Sequence, residues 1–158
     1  MGLREVKKEL TNLDKSEIIK LISEMYKKIP SVKSYLDVFV TGEIENLVIK
    51  HKKEIERYVY PRGTNMVLRD SEARKLIRNI RKMKIVELNI ELELHYVICC
   101  LEVINDFGYW DENYYIAIEK MYYSAVNGIR ELGIEEKFEE LLTKISYDAS
   151  EFGIELYP

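Results

Sequence analysis

The sequence has little that breaks or cross-links a chain: three prolines, seven glycines and two cysteines in 158 residues. So few turn-forming residues exclude an all-β fold with many tight turns, and a hydrophobic content of 47% excludes a disordered chain. Cys99 and Cys100 are adjacent, and neighbouring residues on a helix point about 100° apart, which disfavours a disulfide between them. We expect two small apolar packing residues in a reducing compartment.

Long apolar runs and catalytic signatures are also missing. No run approaches the ~20 residues that span a bilayer, and the charged start MGLREVKKEL lacks the apolar core of a signal peptide. We therefore expect a cytoplasmic chain without membrane contact. There is no glycine-rich phosphate loop, nucleophile elbow, His-Glu-x-x-His or Cys-x-x-Cys motif. The sequence thus assigns no catalytic residue, cofactor or metal site, and it leans against an enzyme.

What is present is a hydrophobic period close to 3.6 along almost the whole chain. This period predicts an all-α fold, with residues 1–158 forming a single domain of about seven or eight helices. The arrangement is expected to be an antiparallel bundle or a short helical-repeat-like stack. A chain of this length is large enough to bury about 68–70% of its unfolded surface.

Capping residues and helix breakers place the helix ends. Asp14, with Glu17 three residues later, predicts a capping box, and Pro30 stops the helix that Asp14 opens. Ser31 is expected to cap the next helix. Further helices are expected over about 43–58, from Asp70 or Ser71 to Met83, and in three later segments separated by Gly108 and Gly133 and ending at Gly153.

One stretch has two interpretations. Leu88–Leu94 alternates apolar and polar residues, which is a strand pattern and would give an α+β fold. We favour a helix, because the chain onward to Ile104 is apolar and contains no turn residue. On that helix five polar residues fall within roughly 80° of one another: Glu87, Glu91, His95, Glu102 and Asn105. A narrow polar stripe on an apolar helix is typical of a central, mostly buried element.

Charge divides the chain near residue 84. Residues 1–84 hold 20 Lys+Arg against 12 Asp+Glu, whereas residues 85–158 hold 4 against 16. We expect this basic half and acidic half to dock on each other, to steer an acidic partner, or to favour head-to-tail self-association.

The densest basic segment is 69–84. Arg74, Arg78 and Arg81 are spaced to form one guanidinium ridge, with Arg69 just before it and Arg62 in the preceding loop. Arginine forks suit phosphate and carboxylate groups, so nucleic-acid or anion binding is one hypothesis. The alternative is a structural role in which the arginines pair with the acidic half.

Two histidines are too few to predict a metal centre. Glu91 precedes His95 by one helical turn, but the Glu-x-x-His pattern of di-iron bundles fails because position 92 is leucine. We expect His95 to be a hydrogen-bonded structural residue. A small-molecule enzyme using Glu91, His95 and Glu102 is a third hypothesis, and it requires a polar-lined pocket beside them.

Tyrosine is abundant, with 12 residues against four phenylalanines. Most of the tyrosines in the late helices follow a core stripe, but Tyr114 and Tyr123 fall off it. We expect these two to line a groove or an interface. Gly128, inside the same helix, predicts a close contact with another helix.

Several short motifs resemble a family of small uncharacterised bacterial proteins. They are Leu3–Leu10, Leu13–Ile19, Tyr26-Lys27-Lys28, Val32–Leu36, Tyr60-Pro61-Arg62-Gly63 and Ser71–Lys75. The resemblance implies a helical fold and a bacterial source, and it brings no activity or site residues. Our leading hypothesis is a non-enzymatic helical module that binds another protein or a second copy of itself.

Overall fold

A computed structural model of the protein describes residues 2–61, 67–108 and 111–158. These ranges contain eight α-helices and no β-strand, so the all-α prediction is confirmed. The helices are α1 (Leu3–Thr11), α2 (Lys15–Lys28), α3 (Pro30–Thr41), α4 (Glu45–Val59), α5 (Asp70–Arg81), α6 (Val86–Phe107), α7 (Glu112–Leu132) and α8 (Glu135–Ser150).

The chain divides into two compact units, Met1–Ile44 and Glu45–Pro158. The first unit contains α1 to α3 and the second contains α4 to α8. The predicted charge boundary near residue 84 lies within the second unit, between α5 and α6. Opposite charges from the two halves are therefore brought together inside one unit.

The helix ends follow local chemistry. Asp14 accepts a hydrogen bond from the Glu17 amide at 2.8 Å, and Glu17 accepts one from the Asp14 amide at 2.8 Å, which confirms the capping box. The predicted cap of α3 at Ser31 is two residues late, because Ile29 is the N-cap. Pro30 occupies the first helical position, where its fixed φ suits the helix and its missing N–H is not needed.

In the second unit α6 is the central helix. It packs against α4, α5, α7 and α8, and 12 of its 22 residues are buried. Residues 88–94 are helical, so the strand interpretation is excluded. The strand-like alternation arises because this helix is covered on several sides, which allows Leu88, Ile90, Leu92 and Leu94 all to be buried. Cys99 and Cys100 are buried free thiols, as expected.

Glycines serve two purposes in the second unit. Gly133 adopts a left-handed conformation with φ 64°, and the Ile134 amide donates to the Ile129 carbonyl at 3.2 Å, which is the expected Schellman close. Gly128 instead marks the predicted close approach of α7 to α6. A Cβ at Gly128 would lie 3.0 Å from Ile90 Cγ1 and 3.4 Å from Val86 Cγ1.

The first unit is held by polar contacts at its α2–α3 junction. The Tyr26 hydroxyl donates to Asp37 at 2.7 Å, and Lys33 Nζ donates to the same carboxylate at 2.7 Å. Lys33 Nζ also lies 4.9 Å from the centroid of the Tyr26 ring. No residue of α1, α2 or α3 is buried. The amphipathic stripes of these helices are therefore present but only partly covered.

We predict that Gly128→Ala destabilises the second unit by about 1 kcal/mol. Alanine favours the helix by ~1 kcal/mol, but overpacking a filled site costs roughly 1–3 kcal/mol, and Ile90 is buried and has little room to move. Urea unfolding followed by circular dichroism measures the change. The matched control is Asn127→Ala on the exposed side of the same helix. Asn127→Ala should not destabilise the protein, and a Gly128→Ala protein as stable as the unaltered one, or more stable, would contradict the prediction.

Candidate functional site

The predicted polar stripe of α6 faces α4. Three pairs join the two helices: Lys52 Nζ donates to Glu91 at 2.9 Å, His95 Nε2 lies 3.0 Å from Glu56, and the Tyr60 hydroxyl donates to Glu102 at 2.6 Å. The three α4 residues are four apart, so they share one face of the helix. We call these six residues the α4–α6 polar seam. Because the numbers rise together on both helices, α4 and α6 run parallel.

Burial in the seam favours the neutral form of His95. Burial, and next the positive charge of Lys52, lower the pKa of His95 below its ordinary 6.5, against the opposing effect of Glu56. Cys99 Sγ lies 3.6 Å from His95 Nε2, and burial raises the pKa of that thiol. An activated Cys–His pair needs thiolate and imidazolium, and both shifts oppose these charged forms. The two pKa shifts thus disfavour an activated Cys–His pair, and the contact with Glu56 fits the expectation that His95 is hydrogen-bonded.

A second polar cluster, which the sequence analysis missed, joins α5, α6 and α7. Arg81 Nη2 lies 2.6 Å from Glu93 Oε1, and the Ser124 hydroxyl donates to the same oxygen at 3.1 Å. Glu93 is only 2% exposed. Burial raises the pKa of Glu93 above its ordinary 4.5, while Arg81 and Ser124 oppose the rise. The sequence did contain a signal for this cluster, because Glu93 is a charged residue on the apolar side of α6, opposite the polar stripe.

The predicted arginine ridge does not form one open surface. Arg81 is engaged by Glu93, and Arg74 pairs with Asp70 of its own helix at 3.3 Å. Arg78 is exposed and makes no salt bridge within the described ranges. Arg62 lies outside the described residues. The alternative in which the arginines pair with the acidic half thus fits Arg81, whereas the partner of Arg74 belongs to the basic half.

Arg69 belongs to a different basic surface, on α4. An open groove of about 760 Å³ runs along the outer face of that helix. Its cations are Lys50, Lys53, Arg57 and Arg69, and Asn46, Ile49, Glu54 and Tyr58 complete the lining. We call this surface the α4 basic groove. The spacing of positions 50, 53 and 57 on one helical face was the signal that the sequence analysis overlooked.

The cations of the α4 basic groove are exposed, and none of the four forms a salt bridge with a residue that the structure describes. The one carboxylate in the groove, Glu54, has its oxygen 3.3 Å from His51 Nδ1. The guanidinium carbon of Arg69 lies 5.2 Å from the centroid of the Tyr58 ring, which positions this arginine over an aromatic face. The groove therefore combines unpaired positive charge with an aromatic side chain.

The expectation that Tyr114 lies at a surface is wrong. Its side chain is 3% exposed, and its hydroxyl donates to the Cys100 carbonyl at 3.3 Å. The α6–α7 contact encloses more of the α7 circumference than a single stripe, so a residue beside the stripe is also covered. Tyr123 is 38% exposed, and its ring packs edge-on against Tyr122. Only Tyr123 of the two is available at the surface.

A smaller pocket of about 260 Å³ lies between α6 and α8. Its floor is apolar, with Ile98 and Leu101 among the lining residues, and its rim carries Glu102, Asn105, Lys144, Asp148 and Glu151. Of the three residues in the enzyme hypothesis, Glu102 alone lines this pocket, and it also accepts the Tyr60 hydroxyl. Glu91 and His95 are engaged in the seam instead. The polar-lined pocket that the enzyme hypothesis requires therefore lies beside only one of its three residues.

Metal-binding clusters and membrane-spanning helices are both absent from residues 2–61, 67–108 and 111–158. No three His, Cys, Asp or Glu side chains in these ranges converge into a group that could hold a metal ion. Among the helices so described, none combines the length and the apolar character needed to cross a bilayer.

Comparison with known proteins places the chain in a family. The model of DUF6155, a family of unknown function, matches residues 1–152. The chain belongs to DUF6155. Neither the curated proteins nor the solved structures contain a significant match. The match confirms the resemblance to an uncharacterised family, and membership of DUF6155 assigns no activity, ligand or partner.

We predict that Glu93 makes the stability of the protein fall as pH rises. Its pKa is raised in the folded state, so the folded protein binds the proton more tightly than the unfolded chain does. Stability is therefore lost as pH rises from about 4.5 through the folded pKa. The Glu93→Gln variant has no titratable carboxyl group at this position, so it serves as the reference. The unfolding free energy of the unaltered protein minus that of Glu93→Gln should decrease as pH rises above about 4.5.

Urea unfolding at several pH values measures this difference. Arg81→Gln provides the second variant, because it leaves Glu93 buried without its charged partner. We expect it to cost about 2 kcal/mol near neutral pH, less than for a fully buried pair because the Arg81 side chain is 40% exposed. A difference that is constant with pH, or that grows as pH rises, would refute the assignment.

Proposed function

We propose that this protein is a non-enzymatic interaction module that associates through the apolar faces of its first unit. The observation that supports the proposal is the absence of any buried residue in α1, α2 and α3, although each of these helices is amphipathic. A helix with an apolar stripe is stabilised by covering that stripe. The first unit therefore offers a surface that a partner can cover.

The uncovered apolar side chains are concentrated in this unit. Ten large ones are exposed within Met1–Ile44, against eight among the described residues of the much longer Glu45–Pro158. The ten are Leu3, Val6, Ile19, Leu21, Ile22, Met25, Ile29, Tyr35, Phe39 and Val40. Phe39 and Val40 are the most exposed, at 77% and 80%. Apolar surface concentrated in this way is typical of an interaction site rather than of scattered surface residues.

Burial at a partner would stabilise this unit substantially. A chain segment of this size has difficulty supplying a sufficient core by itself, and small folds are often completed by oligomerisation. Covering one exposed Leu or Ile fully contributes about 1.5–3 kcal/mol. A few such side chains would offset the entropy cost of association, which is about 4–15 kcal/mol.

The partner that best fits this surface is a second copy of the same chain. Leu21, Met25 and Ile29 repeat every four residues and are symmetric about Met25, so an antiparallel copy of α2 meets the same stripe. Such self-complementary contact is the rule in twofold dimers. The unit is also nearly neutral, with eight Lys+Arg against seven Asp+Glu, so two copies would not repel strongly.

The charge division suggested a different mode of self-association, in which the basic half of one copy meets the acidic half of the next. The two modes of self-association differ in how strongly they should depend on salt concentration. Contacts between exposed charges weaken as salt rises, because the Debye length falls from ≈ 10 Å at 0.1 M to ≈ 3 Å at 1 M. Apolar contact is not screened in this way. A salt-resistant dimer therefore favours the first unit as the interface.

The test is sedimentation equilibrium of the full chain at low and high salt. We expect a dimer at micromolar concentrations in both conditions. Replacing Leu21, Ile22 and Met25 by Gln should raise the dissociation constant at least about 100-fold, since each replacement removes a covered apolar side chain. Glutamine keeps good helix propensity, so α2 itself should be retained.

The control replaces three exposed apolar residues of the second unit, Ile116, Leu132 and Tyr147, by Gln. This variant should dimerise like the unaltered protein. A protein that is monomeric at about 100 μM, far above the expected dissociation constant, would overturn the proposal. Equal loss of dimer in both variants would also overturn it. The cytoplasmic location and the bacterial source remain predictions from the sequence.

A further inference from the structure

We infer that the α4 basic groove binds single-stranded nucleic acid, through phosphate contacts by Lys50, Lys53, Arg57 and Arg69 and base stacking at Tyr58. This site is separate from the proposed interface, because all of its residues lie in the second unit. It also differs from the arginine ridge of α5, with which it shares only Arg69.

The cations are arranged along a line rather than around a point. Lys50 and Arg57 are seven residues apart on α4, which corresponds to about 10 Å of helix rise. Lys53 lies between them on the same face, and Arg69 reaches the groove from the segment before α5. A single phosphate would need convergent donors in a closed site. A row of donors along an open groove fits successive phosphates of a chain.

The four groove cations are available to a ligand, whereas several cations near them are already paired with carboxylates. Lys52, next to Lys53 in sequence, is turned toward Glu91, and Arg74 and Arg81 each have a carboxylate partner. By contrast, no described carboxylate forms a salt bridge with any of the four groove cations. A ligand phosphate would therefore not have to displace an internal partner.

The non-cationic lining favours a single strand over a duplex. Tyr58 presents an aromatic ring beside the cations, with Arg69 over it, and Ile49 is 55% exposed in the same groove. Aromatic rings bind nucleic acid by stacking on exposed bases, a contribution of about 1–3 kcal/mol per base. In a duplex the base faces are covered by their neighbours. An apolar and aromatic lining is thus matched by unpaired bases.

The attraction must be local, because the whole chain carries a net charge of −4. Residues 45–84 hold 12 Lys+Arg against five Asp+Glu, and the groove lies within this segment. Binding should therefore depend on this local positive surface rather than on the charge of the whole chain. Changes confined to the groove should abolish binding, whereas equal changes elsewhere in the basic segment should not.

Fluorescence anisotropy with a labelled oligothymidylate of about 20 nucleotides tests the inference on the full chain, since one binding site covers about 4–16 nucleotides. At 50 mM salt we expect saturable binding. With three to four phosphate contacts, binding should be about 20- to 50-fold weaker at 200 mM salt than at 50 mM. This follows because the logarithm of the binding constant falls with the logarithm of the salt concentration, with a slope of ≈ −0.7 per contact on single strands.

The groove variant carries Lys50→Gln, Lys53→Gln and Arg57→Gln. We expect it to bind at least about 10-fold more weakly and to show a salt dependence reduced by about two contacts or more. The matched control carries Lys75→Gln, Arg78→Gln and Lys82→Gln, three exposed cations of the α5 region. It has the same charge change and should bind within about twofold of the unaltered protein. Both variants alter exposed side chains, and thermal melting verifies that each is folded.

Stacking is tested by Tyr58→Leu, which should weaken binding about 5-fold or more without changing the salt dependence. A duplex of the same length should bind more weakly than the single strand. Three results would each overturn the inference: no saturable binding of the oligonucleotide, equal loss in the groove variant and its control, or duplex binding as tight as single-strand binding. Attachment to anionic phospholipid vesicles without oligonucleotide binding would assign the groove to a membrane surface and would also overturn it.

Discussion

The ion pair between the buried Glu93 and the half-exposed Arg81 is the central constraint on the packing of the second unit. A carboxylate enclosed at the centre of α6 requires a charged or hydrogen-bonding partner, because desolvation strongly disfavours an isolated charge. Arg81 and Ser124 supply that partner from α5 and α7, at 2.6 and 3.1 Å. The pair therefore fixes the position of both neighbouring helices against α6. It also removes Arg81 from the surface that α5 offers to ligands.

The same requirement divides the cations of the basic segment into two groups. Lys52 and Arg81 face α6 and neutralise glutamates of the acidic half, so part of the charge asymmetry is used in packing. Lys50, Lys53 and Arg57 occupy the outer face of α4 and remain unpaired within the described chain. The net charge of a segment accordingly overestimates what it offers to a ligand. The inner cations stabilise the fold, and the outer cations carry the proposed binding.

The two units differ in how they satisfy their apolar surface. The second unit closes a core around α6, where Tyr96, Leu88 and Cys100 are fully buried. The first unit has well-formed helices, with a capping box at Asp14 and polar contacts at Tyr26, yet its apolar stripes are only partly covered. Local helix signals and core formation are thus separate properties. This contrast is the basis on which we propose self-association through the first unit, whereas the proposed ligand groove lies in the second.

The sequence by itself determined the helical fold, the capping box at Asp14, the central position of α6 and the close approach at Gly128. These features depend on residues a few positions apart, through backbone hydrogen bonds, helical period and side-chain volume. Only the tertiary structure decided that Tyr114 is buried, that Arg81 meets Glu93 and that Lys50, Lys53 and Arg57, unlike Lys52, form no salt bridge with a described residue. Those outcomes depend on which helix faces meet, and residues such as Lys52 and Glu91 are brought together across 39 positions. Periodicity identifies a helical face, whereas the packed neighbours determine whether that face is core, seam or surface.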